Sequence, residues 1–133
     1  AGLGAVHGLV APLGGLCGVA HGDGCACLLP ATFVANAHAL LRRQPNSPAL
    51  DRLRHLLRLL GQGREDLDEV GERLDRLRQH LGIRSLAEQG VTVGQFPSII
   101  AQSRGGSMRS NPVELSDAEL FDVLQKSWRG DRQ

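Results

Sequence analysis

"VHGLVAPLGGLCGVAHGDG", residues 6–24, places His7 and His21 fourteen positions apart, with Pro12 and six glycines among them. Residues 1–11, which lead into it, are small and apolar on every side, and a helix apolar all round is a buried one. Pro12 and the Gly14-Gly15 pair predict the end of that helix, because proline lacks the donor and glycine favours a turn. Residues 16–21 then read as a connector. A second helix is predicted from about Gly22 to Arg43, apolar over most of its surface through "CACLLPATFVANAHALL" and kinked at Pro30. Two helices meeting across a glycine-rich bend can present their imidazoles to a common point, since glycine turns tightly without side-chain clash. Neutral imidazole is a good donor for Fe, Zn, Ni or Cu. Two histidines are not a complete centre, because a catalytic metal takes at least three protein ligands and an open position. The spacing offers no third: Asp23 is expected to point away, in favourable contact with a helix N-terminus. The alternative is a pair of partly buried histidines hydrogen-bonded to backbone.

The rest of the chain reads as helices with capping signals. In "QPNSP", Ser47 is a candidate N-cap with Pro48 in the first helical position. Leu50, Leu53, Leu57 and Leu60 recur at steps of three and four and mark an amphipathic helix ending at Gly61. "GQG" is a turn. Leu67, Val70, Leu74, Leu77 and Leu81 mark the next helix, whose Arg, Asp and Glu face reads as solvated, and Gly82 stops it. "IRSLAEQGV" is a turn or a single helical turn. Thr92 and Gln95 fit a capping box ahead of a helix over roughly 95–104. "SRGGSMRSNP" reads as a polar, flexible connector. Ser116 and Glu119 form a second capping box, and the last helix turns Leu120, Phe121, Val123 and Leu124 inward before ending near Trp128. No strand-like alternation of useful length appears, so the fold class is all-α, a bundle of about six helices. His38, His55 and His80 read as structural or surface residues, with His80 suited to a helix C-terminus.

At 133 residues a single domain is the default. The net charge is +1 and aromatic residues make up 3 %, which removes the electrostatic and stacking cases for nucleic acid and the electrostatic case for an anionic membrane. Three cysteines, Cys17, Cys25 and Cys27, are an odd, closely spaced set, read as reduced structural thiols in a cytoplasmic protein. A basic n-region is missing from the apolar start, so it does not read as a signal peptide. The opening "AGLGAVHGLV" is apolar, uncapped and without Met; it reads as the middle of a helix, and the chain is expected to be part of a longer polypeptide.

"GLGAVHGLVAPLGGLCGVAHGDGCACLLPATFVAN" closely resembles the hallmark stretch of the iron-containing (group III) alcohol dehydrogenases. The matching features are His7-Gly8, Pro12-Leu13-Gly14-Gly15, His21-Gly22, Leu28-Leu29-Pro30 and Asn36. "GVTVGQFPSIIAQS" and "SNPVELSDAEL" resemble the closing helices of those enzymes. The resemblance covers essentially the whole chain, is specific over the first 36 residues and is generic in the middle helices. It implies a two-domain, dehydroquinate synthase-like enzyme in which an N-terminal α/β domain binds NAD(P) and a C-terminal helical domain closes a metal-containing cleft. By that resemblance residues 1–133 are a partial C-terminal domain, and His7 and His21 are two of the metal ligands, the metal being Fe2+ or Zn2+. The other two, an Asp and a His, would lie upstream.

One departure stands out: many members carry a further His four residues after the first, and here that place is Ala11. Its proton-relay role would pass to water or a substrate hydroxyl, and a metal-independent, maleylacetate reductase-like chemistry stays open. The implied activity is an NAD(P)-dependent alcohol dehydrogenase or carbonyl reductase acting on a small alcohol, aldehyde or keto substrate. The isolated chain carries no G-x-G-x-x-G after a strand. It is expected to bind neither metal nor nicotinamide tightly, and to pack against its N-terminal domain or itself through an apolar cleft face.

Overall fold

Seven α-helices and one 3-10 turn, with no strand, make up residues 4–61 and 66–129, the parts of the chain this computed structural model describes. They are α1 (Gly4–Cys17), α2 (His21–Arg43), α3 (Pro48–Gly61), α4 (Leu67–His80), the 3-10 turn (Val93–Gln95), α5 (Phe96–Gln102), α6 (Gly106–Arg109) and α7 (Asp117–Arg129). The all-α expectation holds, with one helix more than the pattern indicated. The turn expected at residues 62–63 lies outside the described residues.

Helix α2 is the spine, touching α1, α3, α4 and α7, while α1 also rests on α5 and α6. The main core runs between these elements through Leu9, Leu13, Leu28, Leu40, Phe96 and Leu120. A smaller cluster of Val34, Ala37, Leu57, Leu67 and Val70 joins α2 to α3 and α4. By length and composition α2 would suffice to cross a membrane, but 56 % of its most apolar window is buried inside the fold, as befits a core helix.

The first helix does not stop where its residues predict. It runs through Pro12, Gly14 and Gly15 to Cys17. An internal proline costs about 3 kcal/mol in a helix, but Leu9, Val10, Pro12 and Leu13 are all buried. Burying even one such leucine returns roughly 1.5–3 kcal/mol, so packing outweighs propensity. The actual stop is Gly18, in the left-handed region at φ +72°. Its N–H donates to the Gly14 carbonyl at 3.1 Å and that of Val19 to Leu13 at 3.3 Å, closing the helix end with a glycine cap. The connector therefore shrinks to residues 18–20, and His21 is itself the first residue of α2. Pro30 lies inside α2, as its position required, and the helix runs on unbroken.

The amphipathic helices follow their signals closely. Ser47 Oγ accepts from the Ala49 N–H at 3.2 Å, and Asp66 Oδ1 accepts from Asp68 and Glu69 at the start of α4. Gly82, at φ +77°, ends α4. On α4 the solvated face has one exception. Arg78 is 5 % exposed; it pairs with Asp75 at 2.9 Å and donates to the Ile83 carbonyl, locking the turn that follows. Farther on, Trp128 Nε1 donates to the Val91 carbonyl at 2.6 Å and ties the segment before the 3-10 turn to α7.

Thr92 N–H donates to Gln95 Oε1 at 2.9 Å, as the capping box predicts, and the helix expected over 95–104 resolves into the 3-10 turn and α5. Ser116 and Glu119 exchange both capping bonds, at 2.9 and 3.1 Å. Of the inward residues on α7, Leu120, Val123 and Leu124 are buried. Phe121 is only partly so, meeting Phe96 edge-on at 5.3 Å. The supposed flexible connector is a structured anchor. It contains α6, buries Met108 in the core, and places Asn111 where three segments meet.

Candidate metal centre

His7 is the fourth residue of α1, and His21 opens α2. Across the cap at Gly18 the two rings come together with centroids 5.2 Å apart and planes tilted by 52°. Cys25 lies four residues after His21, on the same face of α2 one turn later, and its Sγ is 3.6 Å from His21 Nε2. The ligand atoms of His7, His21 and Cys25 all lie within 4.8 Å of one another, the only such grouping of three among the described residues. His21 is exposed and the other two are half-buried, so the cluster opens outward, with room for further ligands from elsewhere in a longer protein. Asp23 is exposed in the first turn of α2 and stays out of the cluster, as its position suggested.

Close backbone approach holds the two helices in this register. An ideal Cβ on Gly24 would lie 2.6 Å from Val10 Cγ2, and one on Gly8 would lie 2.9 Å from Met108 Cε and 3.1 Å from the Ser103 carbonyl. Only glycine lets α1 and α2 approach so closely on one side, and α1 and α6 on the other. Asn111 fastens the start of α1. Its Oδ1 accepts from the Ala5 N–H at 3.0 Å and from Asn36 Nδ2 at 3.2 Å. Its Nδ2 donates to Asn36 Oδ1 at 2.7 Å and to the Val113 carbonyl at 2.6 Å. His7 is thus positioned from below by a residue 104 positions later in the chain. Reading the sequence missed Asn111, since a lone Asn-Pro looks like a turn. It also missed Cys25, although the i, i+4 spacing from His21 was visible.

The remaining histidines lie elsewhere. His38 Nε2 is 3.6 Å from Asp68 Oδ1 across α2 and α4; His55 and His80 are exposed on α3 and at the end of α4. The three thiols differ in setting. Burial pushes Cys17 and Cys25 above the ordinary thiol value. It pushes Cys27 up to about 11, against a smaller opposing pull from Arg78. Cys27 is 2 % exposed and donates to the Arg84 carbonyl at 3.0 Å, a structural role consistent with its reading from the sequence. Ala11 is exposed one turn after His7 on α1, so the position offers only a methyl group.

A family model for the C-terminal part of the Fe-containing alcohol dehydrogenases matches residues 1–128. A 4-hydroxybutyrate dehydrogenase from Cupriavidus necator is 34 % identical over 134 aligned residues, which cover 95 % of this chain and 33 % of that protein. A crystal structure of 1,3-propanediol oxidoreductase superposes with a TM-score of 0.69 at 25 % identity, over 93 % of this chain and 32 % of that one. The chain therefore spans about a third of the length of the relatives it matches.

Proposed function

This chain belongs to the Fe-containing alcohol dehydrogenase family, matching its C-terminal part, and from that premise we propose that it supplies His7 and His21 as two metal ligands, and one wall of the substrate cleft, to an NAD(P)-dependent oxidoreductase. The observation that carries the proposal is the convergence of the two imidazoles from separate helices, 5.2 Å between centroids. The donor set suits iron, which imidazole binds well, and its open side leaves coordination positions for an Asp, a His and the substrate oxygen. When bound, the iron would act as a Lewis acid on that oxygen, while the nicotinamide held by an N-terminal domain exchanges the hydride.

The chain's own residues bind and orient. His7 and His21 hold the ion from two helices locked by the Gly24–Val10 contact and by Asn111. Ala20 and Gly22, small and exposed beside His21, leave the approach to the cluster clear. With Ala11 one turn from His7, no side chain there relays a proton, so the hydroxyl proton leaves through water or the substrate's own polar end. The names of the two relatives, a hydroxy-acid dehydrogenase and a diol oxidoreductase, support a short primary alcohol with a second polar terminus, or its aldehyde, as substrate. The cytoplasm is the compartment this reading assigns.

Replacing His21 by Ala in the complete enzyme tests the assignment. We expect metal content to fall at least tenfold and activity with it. Full metal occupancy with full activity in that variant refutes the ligand role. Full activity of the unaltered enzyme after its metal is stripped favours the maleylacetate reductase-like alternative.

A further inference from the structure

We propose that Cys25 is a third protein donor to the same ion, so that this chain by itself carries a two-histidine, one-thiolate site for a borderline divalent transition metal. The inference rests on the reading of His7 and His21 as ligands and adds a residue that this reading does not use. Metal–nitrogen bonds of about 2.05 Å and a metal–sulfur bond of about 2.3 Å at a tetrahedral angle put nitrogen and sulfur about 3.6 Å apart. Cys25 Sγ lies 3.6 Å from His21 Nε2. The spacing within 4.8 Å of all three donor atoms is what one ion can bridge with small rotations of the side chains. Helix geometry supplies the pairing, because positions 21 and 25 share a face of α2. The other two thiols stand apart from the cluster, and Cys27 is spent on the Arg84 carbonyl.

A thiolate changes the chemistry of the centre. Two imidazoles and a sulfur form a softer set than imidazoles with carboxylates, which widens the intrinsic preference for cobalt and zinc over iron(II). Three donors also reach the ligand count that two histidines lack. With three donors the isolated chain binds metal, against the expectation from two histidines alone. As the metal–sulfur bond forms, the thiol proton passes to solvent.

Cobalt(II) makes the sulfur visible. One equivalent of Co2+ added without oxygen to the full 133-residue chain should produce visible ligand-field bands and a near-ultraviolet thiolate-to-cobalt charge-transfer band. Cys25→Ser should lose the charge-transfer band, keep the ligand-field bands and bind at least tenfold more weakly. Cys17→Ser should keep both, and far-ultraviolet circular dichroism should show equal helix content in all three proteins. A charge-transfer band that survives Cys25→Ser overturns the proposal. So does bound cobalt without such a band in the unaltered chain, or no binding at all. If ligand-field bands appear without sulfur and vanish in His21→Ala, the histidine ligands stand and only Cys25 falls. If cobalt binding is unchanged in both His7→Ala and His21→Ala, the histidine reading itself fails.

Discussion

The α1–α2 pair and the α3–α4 pair are both helix pairs in contact, but their sequences relate to their folds in opposite ways. In α3 and α4 local signals and final structure largely agree: Ser47 and Asp66 cap, Leu50, Leu57, Leu67 and Val70 are buried at helical spacing, and Gly61 and Gly82 stand at the ends; the expected stripe fails only toward the end of α4, where Leu77 and Leu81 are exposed because no helix covers them. In α1 and α2 they conflict. Two prolines and several glycines sit inside helices that persist because the surrounding core buries them. Locally discordant sequence tends to mark a functional or strained place, and here it surrounds the only three-donor cluster among the described residues.

Alanine at matched glycines gives the sharpest contrast. Gly24→Ala drives a Cβ to 2.6 Å from Val10 Cγ2, and Gly71→Ala drives one to 2.7 Å from Val34 Cγ2. Valine on a helix is stiff at χ1, so in each case the helices must part. Overpacking costs typically 1–3 kcal/mol, against a gain of up to about 1 kcal/mol in helix propensity. We expect both variants to lose about 1–2 kcal/mol in urea unfolding. Only Gly24→Ala should also weaken metal binding, because only that contact sets the His7–His21 spacing. Gly15→Ala is the control: nothing lies within 4 Å of its ideal Cβ, so it should gain about 0.5–1 kcal/mol. Equal metal affinity in Gly24→Ala and Gly71→Ala would erase the functional distinction between the two pairs.

That contrast also explains what could be read in advance. Leucine spacing and caps reveal α3, α4, α5 and α7 because their information is local: a Ser before a Pro, or a Glu three residues after a Ser. The passage of α1 through Pro12 is not local, since it depends on burial against α2, α5 and α6, the last two more than eighty positions away. Asn111 and Met108 are illegible for the same reason. A polar stretch with two glycines looks mobile until Gly8 and the start of α1 are placed against it. Arg78 hides among solvated charges because its carbonyl partner lies in the following turn. His7 and His21 are legible as a pair by their motif, whereas Cys25 shows only as an i, i+4 spacing from His21 until the fold brings His7 beside it.

Asn111→Ala probes the tie between the α1 start and the rest, and should have an effect of comparable size. It removes the acceptor for the Ala5 N–H and the donor to Val113, both partly buried. Unsatisfied groups of this kind cost about 1–3 kcal/mol, and we expect a loss of about 2 kcal/mol in urea unfolding. Because His7 follows Ala5 by two residues, metal affinity should fall too. Stability lost with unchanged metal affinity would show that α1 holds its register through Gly24 and the core alone.

Cys27 extends the comparison to the seam where α2 meets the turn after α4, and it carries the smallest effect. Burial raises its thiol from the ordinary 9.0 to about 11, so between those values the folded state keeps a proton that the unfolded chain releases. The unfolded state then binds fewer protons, and stability falls as pH rises. The contribution is complete below pH 9.0 and gone by about pH 11. Discounted for residual solvent screening, it is on the order of 1 kcal/mol. Urea unfolding of the wild type and of Cys27→Ala at intervals across this range measures it. Cys17 and Cys25 are present in both proteins, so subtracting the two profiles isolates Cys27, and the wild type should lose the larger share of its stability. Parallel profiles would mean that the thiol ionises in place, and that water reaches the seam between α2 and the turn after α4.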